Sequence, residues 1–189
     1  ADEAAKEKAS AKDALVAMRD RLVTADDPVA GNPKGDVTIV EFFDVRCPYC
    51  KNMEPEMAKF LAGDKKVRLV YKDLPILGAP STLGAKALLA AKRQNAYEKL
   101  RDAVMKLPSA NLTQEGLEAA AKQVGLDAGR LRKDMEDPAI RKQLDENLAL
   151  AHALAIQGTP ALIIGDELVP GTISADELKR LVAAARKAG

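Results

Sequence analysis

The chain has two cysteines, Cys47 and Cys50, separated by Pro48 and Tyr49 in the stretch TIVEFFDVRCPYCKNMEPEM, residues 38–57. Paired thiols at this spacing can form a structural staple, supply half of a metal site, or exchange disulfides. A staple would close a loop too small to remove much unfolded-chain entropy. A chain of 189 residues can also bury a core without one. Structural zinc needs a tetrahedral set of Cys and His ligands, and the only other such residue is His152. A soft ion content with two thiolates, Cu(I), fits the donor number. Disulfide exchange uses both sulfurs: one thiolate attacks a disulfide, and the neighbour resolves the mixed disulfide.

The flanking sequence indicates how the thiols are held. VTIVEFF, Val37–Phe43, is β-branched and aromatic with apolar residues on both faces, as in a buried central strand. From Cys47 to about Leu61 the spacing turns helical, with Met53, Met57 and Phe60 or Leu61 on one side and Pro55 expected to kink it. Cys47 then stands at the helix N-terminus and Cys50 one turn inside. Unpaired N–H groups and the positive end of the helix dipole favour a thiolate there, so Cys47 is expected to be the nucleophile with a lowered pKa. Cys50 is shielded and resolves. Pro48 stiffens the first turn, and neutral Tyr49 adds no second positive charge. VRLVYKDL, Val67–Leu74, returns to strand character, so a βαβ unit with parallel strands is expected.

Around this unit lie an N-terminal stripe of Leu15, Met18 and Leu22, extended by Ala11 and Ala4, and a Pro- and Gly-rich stretch, ADDPVAGNPKGD. The first reads as a helix over 1–24 that needs a partner surface, either its own domain or an oligomeric stalk. The second, 25–36, reads as a linker. Residues 81–156 read as almost entirely helical, with stops at Pro108, Gly125 and Pro138 between segments and Thr113 and Asp127 as N-caps. TPALIIGDELVPG gives two short strands around a turn at Gly165-Asp166. In the last helix Ser174 and Glu177 form a capping box. The strands and last helix place one folded unit at 37–80 and 157–189, interrupted by helices at 81–156.

Composition excludes other classes. Lys and Arg number 29 against 28 Asp and Glu, net +1, and there are three Tyr, three Phe and no Trp. Neither a basic surface nor a stacking platform for nucleic acid follows. No apolar run reaches the ~18 residues of a membrane span. A start at ADEAAKEK, without Met, suits an exported chain whose signal peptide has been removed, and suits a shortened one equally.

VEFFDVRCPYCK, GTPALIIGD and the order of elements from Val37 to Gly189 resemble the DsbA-like group of thioredoxin-fold thiol-disulfide oxidoreductases. The resemblance implies an α/β thioredoxin fold with an inserted α-helical domain, preceded here by an N-terminal helical extension. It also implies a cis peptide at Pro160, with Thr159 turned toward the thiols to pair with an extended substrate. Pro48 and Tyr49 would complete that binding surface. Glu41 occupies the position where the group carries an acidic residue beneath the active site, as a proton relay for Cys50; the alternative is a pair with Lys72. His152 reads as a partly exposed helix residue. Tyr49 departs from the oxidase branch, which usually has His between its cysteines, whereas Thr159 and the N-terminal helix resemble isomerases. The composite is similar to the suppressor-of-copper-sensitivity C (ScsC) branch. That likeness implies a periplasmic disulfide isomerase or reductase acting on unfolded or misoxidised exported proteins. It further implies a homo-oligomer, with a trimer favoured, a membrane thiol reductase of DsbD/ScsB type as partner, and Cu(I) at Cys47 and Cys50, with no cofactor required. A monomeric disulfide-donating oxidase and a copper-binding module without a redox role are the alternatives.

Overall fold

The computed structural model describes all 189 residues. A mixed sheet of five strands has the order β1-β3-β2-β4-β5, with β1 at Val29–Gly31, β2 at Val37–Phe43, β3 at Val67–Asp73, β4 at Ala161–Ile164 and β5 at Glu167–Pro170. β2 and β3 run parallel in the register Val37 to Val67, and β4 pairs antiparallel with β2. The helices are α1 (Asp2–Ala17), α2 (Arg19–Leu22), α3 (Pro48–Gly63), α4 (Ala79–Lys92), α5 (Tyr97–Met105), α6 (Gln114–Gln123), α7 (Ala128–Met135), α8 (Pro138–Ala153) and α9 (Ala175–Ala188). This is the α/β thioredoxin fold of the DsbA-like kind, with α4–α8 inserted between β3 and β4.

Strand alternation divides the core in two. Val37, Ile39 and Phe43 of β2 join Met53, Met57 and Phe60 of α3, Leu178 and Val182 of α9, and the inserted helices in one large cluster. Val40 and Phe42 face the other way, onto Leu150 and Leu154 at the C-terminal end of α8 and Leu15 near the end of α1. Ala14, Met18 and Leu22 pack around that second cluster. The thin N-terminal stripe thus has a partner surface within its own chain.

Several sequence expectations change in detail. The stretch 25–36 is no free linker: Val29–Gly31 forms an edge strand antiparallel to β3. The peptide before it is anchored by Lys92 Nζ and Gln143 Nε2, both donating to the Asp26 carbonyl. A sequence rich in Pro and Gly is compatible with an edge strand, because one side needs no ladder. Pro55 lies inside α3, which continues past it to Gly63. The helical stretch that begins the insertion breaks between Lys92 and Tyr97, where Asn95 takes φ 56°; Asn tolerates this left-handed conformation. Thr113 and Asp127 cap α6 and α7 by accepting from Gly116 and Arg130 N–H. Ser174 accepts from Glu177 N–H, but the Glu177 carboxylate pairs with Arg180 instead of closing the capping box.

Candidate active site

Cys47 is the residue preceding α3, with extended backbone (φ −76°, ψ 121°), and Pro48 begins the helix. Proline fits a first helical position because its missing N–H would have had no intrahelical partner. The loop entering this helix is built on Asp44, which is buried. Its Oδ1 accepts from Arg46 N–H at 2.8 Å, and its Oδ2 accepts from Ile76 and Leu77 N–H at 2.8 and 3.1 Å. Its carbonyl accepts from Cys47 N–H at 3.1 Å. The guanidinium of Arg46 donates to the Leu77 carbonyl. One carboxylate therefore fixes both the turn before Cys47 and the loop that follows β3.

Cys47 and Cys50 are both free thiols. Cys47 retains 5% exposure and Cys50 only 1%, so Cys47 is the more accessible sulfur of the two. The Cys47 thiol donates to the Thr159 carbonyl at 3.3 Å, and the Thr159–Pro160 peptide is cis. Tyr49 is two-thirds exposed, and its carbonyl accepts from Thr172 Oγ1 at 2.8 Å. Cys47, Tyr49 and Thr159 thus meet at one surface, with Pro48 exposed beside them and Pro160 buried behind. Burial pushes the Cys50 thiol well above its ordinary value. It stays protonated, and its sulfur can act only after its proton has left.

Glu41 is buried on the side of β2 that carries Ile39 and Phe43, the side packed by α3. Burial pushes its carboxyl up to about 7, against the opposing pull of Arg101. Its partner is not Lys72. Glu41 Oε2 accepts from Arg101 Nη2 at 3.0 Å, whereas Lys72 Nζ donates to Asp27 Oδ2 at 2.7 Å and to the Arg21 carbonyl. Strand alternation explains the correction: Glu41 is paired in register with Tyr71, so Lys72 points to the opposite face. A second buried acid, Asp73, is also pushed to about 7 by desolvation; its Oδ2 accepts from Tyr97 Oη at 2.7 Å. His152 lies on an exposed face of α8.

Sequence reasoning missed Asp44, Arg101, Asp73 and Thr172. Asp44 had a visible signal, an Asp closing an apolar strand just before a turn. Arg101 had none, since Arg among Lys99 and Asp102 on an amphipathic helix reads as solvated. No cluster of three or more His, Cys, Asp and Glu side chains gathers as a metal site. The two sulfurs alone have the softness that Cu(I) takes. No helix is long and apolar enough to cross a membrane.

A thiol pair at a helix start, facing the carbonyl before a cis-proline, defines a thiol-disulfide oxidoreductase of the thioredoxin type. The chain belongs to the DSBA-like thioredoxin domain family, whose model matches residues 38–183. It is 41% identical to a thioredoxin-like oxidoreductase from Silicibacter pomeroyi, with a TM-score of 0.83 over 88% of this chain and 95% of that one. The catalytic domain of Proteus mirabilis ScsC is 30% identical, with a TM-score of 0.82 over 93% of this chain and 98% of that domain. Among curated proteins, a 161-residue match at 27% identity joins 84% of this chain to Na(+)/H(+) antiporters of Salinispora tropica and Salinispora arenicola, and covers 24% of their length. The chain therefore spans about a quarter of those relatives.

Proposed function

We propose that this protein exchanges disulfides with exported proteins in the periplasm, as an isomerase or reductase, with Cys47 attacking and Cys50 resolving. The observation that carries the direction of attack is the asymmetry of the pair. Cys47 stands at the helix start with its sulfur at the docking loop, whereas Cys50 is sealed and held as a thiol. In the first step Cys47 sulfur, as thiolate, bonds to one sulfur of a client disulfide. The client S–S bond breaks, and its electron pair leaves on the other client sulfur. A misoxidised client can then be resolved by its own thiol, which is isomerisation, or by Cys50, which reduces the client and leaves Cys47 bonded to Cys50. The proton of Cys50 goes to the Glu41 carboxylate. Each such reduction consumes the dithiol, so the protein requires a reductant, for which a membrane thiol reductase is the matching partner.

Tyr49 in place of His between the cysteines supports the reducing direction, as does Thr159 before the cis-proline. The similarity to ScsC supports a homo-oligomer, a trimer by that likeness, and binding of Cu(I) by Cys47 and Cys50 in the reduced state. Refolding of ribonuclease separates the directions. The reduced protein is expected to restore activity to scrambled ribonuclease and the oxidised protein to add little to reduced ribonuclease. The reverse pattern would make it an oxidase. Tight Cu(I) binding without rescue of either substrate would make it a copper-binding module.

A further inference from the structure

A cleft of about 720 Å³ lies between α1 and the segment that joins α8 to β4. One side is apolar, with Ile156, Pro160, Leu168 and Pro170, and Thr159 belongs to the same lining. The Thr159 carbonyl accepts from the Cys47 thiol at 3.3 Å, so the cleft reaches the thiol pair. Backbone on that side is open as well. The N–H groups of Gln157, Gly158 and Thr159 have no backbone partner, and Gln157 and Gly158 are exposed. A row of unpaired donors is what an extended chain pairs with.

The facing wall is α1. Ala4, Glu7, Lys8 and Ala11 line the cleft and, at i, i+3, i+4 and i+7, share one helical face. The same stripe continues as Leu15, Met18 and Leu22, which pack into the second core cluster. Large side chains thus anchor the stripe at that end, whereas the alanines over the cleft leave it unfilled. From Ala4 to Ala11 the helix rises about 10 Å, the length of about three residues of extended chain. Glu7 and Lys8 are exposed and of opposite sign, so the wall is neutral and offers no complement to a run of like charge.

We propose that α1 is the second wall of the client site, and that its Ala4–Ala11 face selects apolar residues beside the client cysteine. This role rests on the exchange reading given above and adds to it the client's chemistry: an extended, unfolded segment with apolar side chains. Its backbone pairs along 157–159, and its side chains are buried against Ile156, Leu168 and the two alanines.

Synthetic peptides test the role, each with one cysteine held as a mixed disulfide with thionitrobenzoate and flanked by leucine, by lysine, or by glycine and serine. The Cys47 thiolate bonds to the peptide sulfur, the peptide–thionitrobenzoate bond breaks, and the electron pair leaves on the coloured thionitrobenzoate, followed by stopped-flow absorbance. Each rate is divided by the peptide's own rate with dithiothreitol, and by the protein's rate with the thionitrobenzoate disulfide of glutathione, which has no long segment to reach α1. The leucine-flanked peptide is expected to react with wild type about tenfold faster than the glycine-serine one, the factor given by half-burying one leucine side chain. In Ala4→Glu/Ala11→Glu and in Ala4→Lys/Ala11→Lys that preference is expected to fall to about threefold or less, because each places charge against the apolar segment. The lysine-flanked peptide is expected to gain in the first variant and lose in the second. Opposite signs are the signature, because a detached α1 would act alike in both. No leucine preference in wild type, a preference unchanged in both variants, or a loss without opposite effects on the lysine-flanked peptide would overturn the role of α1 and leave the exchange reading intact. A preference that follows a change in solution mass by light scattering would place a second copy over the cleft and overturn it too. A wild type that releases no thionitrobenzoate from the glutathione disulfide would overturn the exchange reading itself.

Discussion

Replacing Asp44 removes the acceptor for three backbone donors at once, those of Arg46, Ile76 and Leu77. Hydrogen bonds to a charged group contribute about 1.5–3 kcal/mol each when sealed from water. Here Ile76 and Leu77 are each 39% exposed and Arg46 is exposed, so water replaces part of what is lost and about 1 kcal/mol apiece is the better figure. Asp44→Ala is then expected to cost about 3 kcal/mol, and Asp44→Asn, which keeps one carbonyl oxygen, about half of that. Because the Asp44 carbonyl also receives Cys47 N–H, the loss falls on the turn that positions Cys47. Urea unfolding followed by circular dichroism gives the stability. Iodoacetamide alkylation of Cys47 in the folded protein gives the local effect, expected to differ from wild type even where the variant is fully folded. A cost below about 0.5 kcal/mol, together with an unchanged alkylation rate, would refute the view that this carboxylate organises the loop.

The buried acids predict a fall in stability between mildly acid and mildly alkaline pH. Glu41 and Asp73 both titrate near 7 when folded, against 4.5 and 3.8 ordinarily. The folded protein therefore holds protons that the unfolded chain has released. This contribution is complete below about pH 4 and lost as pH rises through about 7. At about 1.4 kcal/mol per unit, Glu41 alone accounts for about 3 kcal/mol, so urea unfolding at pH 4 and pH 8 should differ by that much more in wild type than in Glu41→Gln. Equal slopes would contradict the burial argument. Gly84 sits where an added Cβ would meet Val45 Cγ2 at 2.6 Å, so Gly84→Ala is expected to destabilise by about 1–3 kcal/mol through overpacking, read as a lower thermal midpoint. Breaking the buried pair with Lys72→Met is expected to cost about 3–5 kcal/mol, with part recovered by Asp27→Asn. Additive losses in that double variant would show that the pair is not coupled.

The thiol strand and helix were legible because their signals are local. VTIVEFF has the composition of a buried strand, and CPYC opens a run of helical spacing. The cis-proline loop was legible only through resemblance, since GTP before a strand reads by itself as an ordinary turn. The edge strand Val29–Gly31 escaped because its pairing with β3 depends on a surface that folding must first assemble. The Glu41 partner escaped for a similar reason. Lys72 was near in sequence space, on the next strand, but alternation turned it away. Arg101 came from sixty residues further along the chain, through an insertion whose docking no local pattern encodes. Ser174 was found as a cap, whereas the contact of Glu177 with Arg180 was decided by a competing neighbour at helical spacing.

The central claim is that Cys47 alone receives clients and Cys50 alone resolves them, and trapping with scrambled ribonuclease tests it most directly. Cys50→Ser is expected to accumulate a mixed disulfide that peptide mapping places on Cys47, while Cys47→Ser accumulates none. Adducts on Cys50 in the Cys47→Ser variant at a comparable yield, or none in either, would contradict the account.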